Sequence, residues 1–459
     1  MRRSPSEPIA SDPPLIIHSV PFTEAARTFA SIGLNSFGGP TGQIAVMHRV
    51  LVEEKRWISE ERFLHGLNLC MLLPGPEAMQ LVTYVGWLLH RTRGGVVAGL
   101  LFVLPGFVAI LALSILYTTL GNLGPVQGLL FGLKAAVLAI VVQAVIRIGK
   151  RVLKKSAMYA IAAASFAALF AFQMPFPVVI ASAAFIGLIG GRQRQDIFAV
   201  ITSTASTDSD TRTAAPHTQP TLRRTLIVLA TWIPIWLVPV VALRLWLGAD
   251  NVFAAQAVFF SKAAVVTFGG AYAVLAYVAQ QAVEVHHWLA PGEMLTGLGL
   301  AESTPGPLIM VLEFVGYMGA YRHPGSLDPT LAGVLAATLA VWTTFAPCFL
   351  WIFLVAPYME AIRSRPTLTA ALSCITAAVV GVVLNLAVWF AAHTLFGAVT
   401  NRAWIGGSLP VPQWSTLDVA AIAISLAAAV MIFVLRRGIL TTLAVSAALG
   451  IAWRLVASP

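Results

Sequence analysis

Residues 66–86 read GLNLCMLLPGPEAMQLVTYVG, and residues 297–317 read GLGLAESTPGPLIMVLEFVGY. Each is a long apolar run cut by Pro-Gly-Pro. An offset of 231 carries Gly66, Leu67 and Leu69 onto Gly297, Leu298 and Leu300, and Pro74-Gly75-Pro76 onto Pro305-Gly306-Pro307. Working outward, the same offset carries Phe37-Gly38-Gly39 onto Phe268-Gly269-Gly270, and Glu53 and Trp57 onto Glu284 and Trp288. After one single-residue slip, Gly86 matches Gly316. Two rare triplets and a tryptophan recurring at one offset are the signature of an internal duplication.

The solvent of this duplicated unit follows from composition. Of 459 residues, 58% are hydrophobic and 10% charged, where a soluble domain carries roughly 25% charge. With mean hydropathy at +0.83 and apolar runs along nearly the whole chain, the bilayer is the solvent that fits. A cytosolic enzyme, a secreted domain and a disordered chain are excluded. The net charge of +10 sits between apolar runs, so it reads as a topology signal, not as an affinity for nucleic acid. Cys70, Cys348 and Cys374 lie inside apolar segments and read as buried small hydrophobes; their number and spacing offer neither a disulfide framework nor a metal site.

Spans are expected at 94–118, 128–148, 225–247, 329–356, 369–396, 417–435 and 438–456, with a tighter hairpin of 157–172 and 176–190 around Pro175 and Pro177. Residues 1–21 read as a cytoplasmic tail without a cleavable signal, 22–190 as the first repeat, and 191–224, rich in Ser, Thr, Asp and Gln, as a cytoplasmic linker. Residues 225–247 connect it to the second repeat at 248–459. Lys150, Arg151, Lys154 and Lys155 before the hairpin, and Arg192, Arg194, Arg223 and Arg224 after it, belong on the cytoplasmic side. One crossing by 225–247 then starts the second repeat outside, so the two repeats are inverted. The loop after the first Phe-Gly-Gly carries Arg49, Lys55 and Arg56, whereas its counterpart AYVAQQAVEVHHW has no Lys or Arg. Arg91/Arg93, Arg363/Arg365 and Arg436/Arg437 fall inside and the 397–416 loop outside. This topology requires the segments around the motifs to enter the membrane and return. The fold class expected is an all-α polytopic membrane protein, two inverted-topology repeats whose broken or re-entrant helices meet near the midplane.

Gly costs about 1 kcal/mol and Pro about 3 in a helix interior, and broken backbone at membrane depth survives where it is buried in protein or lines a watery cavity. The blander reading, plain kinks in spanning helices, accounts poorly for four breaks in two symmetric pairs. Pro76 and Pro307 stand where a helix begins, which would leave the N–H groups of Glu77, Ala78 and Met79, and of Leu308, Ile309 and Met310, aimed into a cavity. Helix N-termini are anion sites, and inverted repeats with paired broken helices mark secondary transporters. The expected cargo is a small oxyanion.

Intramembrane polar residues extend this site. Lys262, six residues before Phe268, is the first choice for a cationic ligand, since a charge in such a run costs at least about 2.5–3.5 kcal/mol at mid-bilayer; Lys134 either joins it or snorkels. Asn35, Ser36, Thr41, Gln43, Asn68, Gln80, Ser261, Thr267, Ser303 and Thr304 could donate to oxyanion oxygens, or else satisfy freed backbone groups. Glu77, Glu302 and Glu313 are candidates for proton coupling or for a salt bridge to Lys262; Glu53 and Glu284 read as structural. No phosphate loop, HExxH or zinc spacing occurs, so no catalytic residue, metal or cofactor is expected and the chain is not read as an enzyme.

SFGGPTGQIAVMH, RWISEERFLHGLNLCMLLPGPEAMQLVTYVGWLLHRT, TFGGAYAVLAYVAQQAVE and GLGLAESTPGPLIMVLEFVGYMG together resemble the chromate ion transporter family in its long, two-domain form, over 22–195 and 225–456. The resemblance implies a multi-pass protein of the bacterial inner membrane that exports chromate and confers chromate resistance, with sulfate as a related oxyanion, the lipid bilayer as its surroundings and a homodimer as an assembly left open. The family's Phe-Gly-Gly and Pro-Gly-Pro motifs fall on the residues singled out above. One departure is Ala271, where the first half has Pro40, so the first break of the second half is expected to be softer. A sulfate or other oxyanion importer and a gated anion channel are the alternatives.

Overall fold

The computed structural model describes residues 20–198, 219–268, 270–290, 292–358, 366–404 and 406–457. The expected tail, most of the linker, Gly269 and the Arg363/Arg365 pair lie outside them. The elements are α1 (Phe22–Asn35), α2 (Gly39–His48), α3 (Glu60–Leu72), α4 (Glu77–Leu120), α5 (Gly124–Val152), α6 (Ser156–Phe170), α7 (Phe176–Gln193) and the short α8 (Gln195–Phe198). After the linker come α9 (Leu222–Leu247), α10 (Val252–Val266), α11 (Ala271–Gln280), α12 (Glu293–Ser303), α13 (Val311–Arg322), α14 (Pro329–Val355), α15 (Pro366–Leu395), α16 (Val419–Ala429) and α17 (Ile439–Ala457). Among the described residues, seven helices are long and apolar enough to cross a membrane, which makes this a helical membrane protein. Large apolar side chains on their outer faces, such as Leu104, Val108, Phe185 and Leu245, are exposed, as lipid contact demands.

One element departs from the all-α expectation. In the 397–416 loop, β1 (Val399–Trp404) pairs antiparallel with β2 (Gly407–Pro412). Pro410 and Pro412 on β2 suit a two-stranded, edge-only ribbon, where a missing N–H faces no neighbour.

Helix α4 is two helices folded against each other. His90 (φ −134°, ψ 31°) and Arg91 (φ 54°, ψ −152°) leave helical geometry, and the halves then pack antiparallel through small residues. A methyl group on Gly86 would lie 2.5 Å from the carbonyl oxygen of Gly94, and one on Gly99 would lie 2.6 Å from Thr83 Oγ1. The segment after the first Pro-Gly-Pro thus runs to the Arg91 turn and comes back. The second half repeats the arrangement: α13 and α14 are joined by a short turn, and Gly316 packs on Ala336 and Ala340. Small residues at such crossings let backbones approach where helices have no hydrophobic drive to associate.

The central helix α5 is fixed in the same way. Gly128 and Gly132, one turn apart, receive α17: a methyl on Gly132 would lie 1.9 Å from Ser446 O, and one on Gly128 would lie 2.8 Å from Gly450 O. Helix α1 presents Ala25, Thr28, Phe29, Ile32 and Gly33 as one buried stripe at i, i+3, i+4 spacing, with Gly33 against Leu101 and Phe102 of α4.

Candidate functional site

The four breaks meet in pairs that the 231 offset relates. Helix α1 ends at Ser36 (φ −87°, ψ 79°) and α10 at Thr267 (φ −77°, ψ 76°). Ser36 Oγ donates to Ile32 O at 2.6 Å, and Thr267 Oγ1 donates to Ala263 O at 2.5 Å. Across the halves, Gly75 N–H donates to Thr267 O at 2.7 Å and Gly306 N–H to Ser36 O at 3.0 Å. Both glycines hold positive φ, +124° and +95°, a region that L side chains avoid. Each Pro-Gly-Pro turn therefore caps the broken helix end of the opposite half, satisfying backbone that no water could reach. The break at Gly270 (φ 97°, ψ 170°) is as complete as the one at Gly38-Gly39, so the expected softening by Ala271 is not found; glycine alone supplies the needed geometry.

Side chains reinforce the knot. Gln43 Nε2 donates to Gly306 O at 2.6 Å and Gln80 Nε2 to Pro74 O at 2.7 Å. Gly106 of α4, unsuspected from sequence, lets Pro305-Gly306 approach: a methyl there would lie 2.7 Å from Pro305 O. Ser303 and Thr304 donate to Leu300 O and Ala301 O, and Asn35 to Ser31 O. Ser36, Thr267, Ser303 and Thr304, offered above as oxyanion donors, thus spend their hydroxyl protons on carbonyls freed by the breaks.

A cavity of about 290 Å³ opens against this knot. From the motifs it takes Pro40, Thr41, Asn68, Glu77, Gly270, Ala271 and Tyr272, from α5 Arg147 and Arg151, and from the turn just after α5 Lys154. Ser373 and Thr376 of α15 complete a polar wall. Arg147 and Arg151 share one face of α5 at i, i+4 spacing, and Lys154 follows two residues past the helix end. Arg147 donates to Thr41 Oγ1 at 2.8 Å and Arg151 reaches Met71 Sδ. Among the described residues, none of the three cations is in an ion pair. Facing them is one carboxylate, Glu77, at the N-terminus of α4, where its charge suits the helix dipole. Three cations against one carboxylate leave a concave, electropositive site suited to a small dianion.

The carboxylates hold paired positions. A methyl on Gly270 would lie 3.7 Å from Glu77 Oε1, and one on the equivalent Gly39 would lie 3.8 Å from Glu302 Oε2. Glu302 is fully buried; Tyr272 OH donates to its Oε1, while Oε2 has no partner among the described residues. Glu313 is also buried, with both oxygens unpartnered there, and lines neither this cavity nor the outer one described below.

Three sequence expectations change. Lys262 is exposed on α10, in the strip it shares with Val265, while Ser261, Ala263 and Ala264 are buried. It does not line the cavity, because proximity in sequence to a break does not fix the helix face; the cations that line it are Arg147, Arg151 and Lys154. Ala78 and Met79 are buried behind Glu77, and Leu308–Met310 form a buried 3₁₀ turn with Met310 N–H bonded to Pro307 O. The helix start after Pro307 therefore faces no described cavity. Phe37, Gly38 and Phe268 stand at the breaks as expected, and Pro74, Gly75, Pro76, Pro305, Gly306 and Pro307 are structural backbone of the knot instead of cavity lining.

The chain was compared with known proteins. A family model described as chromate transporter matches residues 23–188 and again 254–451. A chromate transport protein of Pseudomonas aeruginosa is 34% identical over 364 residues, 77% of each chain. One from Cupriavidus metallidurans is 26% identical over 402 residues, covering 83% of this chain and 86% of its own, and a probable chromate transport protein of Synechococcus elongatus is 26% identical over 427 residues, 90% and 98%. No solved structure matches. On these matches, which span both halves, the chain belongs to the chromate transporter family.

Proposed function

We propose that this chain is a secondary transporter that exports chromate from the cytoplasm by alternating access and so confers chromate resistance. The observation that carries this reading is the cavity in which Arg147, Arg151 and Lys154, unpaired with any described carboxylate, face the breaks of both halves. The names of its relatives point to the same cargo. By the Lys and Arg rule the Arg151 end of α5 is cytoplasmic, so the cavity opens inward.

Two inverted repeats, 22–190 and 248–459, joined by the linker at 191–224 and the helix at 225–247, would make the inward-facing form convertible into an outward-facing one by exchanging the conformations of the halves. The double match of one family model and the cross-bonds Gly75 to Thr267 and Gly306 to Ser36, related by one offset, support this symmetry. The inward cavity and a second, larger cavity at the other end of α5 have no lining residue in common, which favours alternating access over an open anion channel. Export needs no ATP: a dianion leaving a cell about 100 mV negative inside gains roughly 4.6 kcal/mol. On this reading the protein sits in the bacterial inner membrane with a cytoplasmic N-terminus.

Everted membrane vesicles test it. Vesicles bearing the protein are expected to accumulate labelled chromate, with sulfate competing. Absence of accumulation above vesicles lacking the protein would overturn the reading, and accumulation only by right-side-out vesicles would make it an importer.

A further inference from the structure

The cavity at the outer end of α5 has about 580 Å³ and no role in the account so far. Tyr117, Gln127, Lys134, Glu293, Arg322 and Arg454 are among the residues that line it. Its charges are disposed unequally. Glu293 is fully engaged: Oε1 accepts from Arg322 Nη2 at 2.7 Å and from Tyr117 OH at 2.8 Å, and Oε2 accepts from Ala290 N–H at 2.7 Å. Asp418, the other lining carboxylate, caps α16 by accepting from Ala421 N–H at 2.9 Å. Arg454 donates to Gln127 Oε1 at 2.9 Å, and Arg322 also donates to Trp288 O. Lys134 remains: among the described residues its ammonium makes no hydrogen bond and no ion pair, and its side chain is half-buried. A half-buried cation in a cavity of this size, whose lining carboxylates are already committed, is a receptor for an anion.

Position supports this. Lys134 and Ile148, which line the outer and inner cavities respectively, stand about four helical turns apart on nearly the same face of α5, roughly 20 Å along its axis. At the level of Lys134, Gly299 of α12 packs on α5, and a methyl there would lie 3.2 Å from Leu133 Cβ and 3.4 Å from Val137 Cγ2. The two cavities therefore follow one another along one helix, with no lining residue in common.

We propose that Lys134 forms a second, outer oxyanion site, which takes a tetrahedral dianion of the sulfate class after it leaves the Arg147–Arg151 cavity. The order of occupation rests on the export reading; the binding itself does not. Tyr117, Arg322 and Gln127 then serve as the walls and Lys134 as the charge that holds the ion.

Equilibrium binding of radiolabelled sulfate to the purified full-length protein in lipid nanodiscs tests this. The wild type is expected to bind at two sites per chain. Lys134→Gln is expected to weaken one of them by about tenfold or more and leave the other within twofold, as loss of one charge-assisted contact implies. Arg151→Gln is expected to do the reverse, and Lys134→Arg, which keeps the cation, to retain both sites. One site in the wild type, unchanged binding in Lys134→Gln, or equal loss in Lys134→Gln and Lys134→Arg would overturn the proposal. If everted vesicles move no chromate while sulfate binding still depends on Lys134, the export reading fails and the outer site stands.

Discussion

Gly75→Ala probes the knot where the two halves meet. The backbone there holds φ +124°, which a residue with a Cβ adopts at a cost of about 1–3 kcal/mol. The added methyl would lie 2.8 Å from Gln80 Nε2 and 2.9 Å from Cys348 Sγ. Gln80 must then move, losing its 2.7 Å bond to Pro74 O and leaving a buried amide unpaired, about 1–3 kcal/mol more. Together these make roughly 2–6 kcal/mol, a factor of about 30 to 10⁴ in the equilibrium for the intact break. Gly38→Ala is the internal control: φ is +80°, but nothing lies within 4 Å of the added methyl, so strain alone acts, near 1–2 kcal/mol. Melting of the detergent-solubilised protein, followed by loss of the monodisperse peak on heating, is expected to rank wild type, Gly38→Ala and Gly75→Ala in falling order. Gly75→Ala melting with the wild type, or above Gly38→Ala, would refute the reasoning that this turn is closed around a glycine.

Three further outcomes follow from the same geometry. Gly132→Ala is expected to destabilise by about 1–3 kcal/mol or more by overpacking, because its methyl meets Ser446 O of α17 at 1.9 Å; thermal melting checks it, and Gly124→Ala, with nothing within 4 Å, should leave it unchanged. Tyr272→Phe leaves the buried Glu302 without its donor and should cost about 1–3 kcal/mol, whereas the double variant Tyr272→Phe/Glu302→Leu should recover part of that loss. Arg151→Gln should raise the half-saturating chromate concentration in vesicles roughly 10–150-fold, the worth of a charge-assisted hydrogen bond of about 1.5–3 kcal/mol, while Lys262→Gln should change it less than twofold.

What could be read from the chain depended on whether the signal was local. Helix-breaking triplets and apolar runs act on their own backbone, so the breaks at Phe37-Gly38-Gly39 and Pro74-Gly75-Pro76 and the returning segment after Glu77 were legible, as were most span limits. Which face a residue presents is set by partners far along the chain. Lys262 was misplaced for that reason: the buried faces of α10 are decided by α9 and α14, and they leave Lys262 outside. Arg147 and Arg151 sit at i, i+4 with Lys154 just beyond, yet cations at a helix end report topology equally well, and only the packing of α5 against the breaks separates the two roles. Gly106 was hidden because its contact is with Pro305 in the other half. The β1–β2 ribbon carried no alternating apolar pattern to announce it.

On the proposed function, the Arg147–Arg151 cavity carries chromate across the membrane under the membrane potential alone. The most direct measurement is chromate flux into proteoliposomes of the purified protein, with a potassium diffusion potential imposed and no nucleotide present. Uptake is expected to grow as the lumen is made more positive and to be abolished by Arg147→Gln/Arg151→Gln. Flux indifferent to the potential, or undiminished in that double variant, would contradict it.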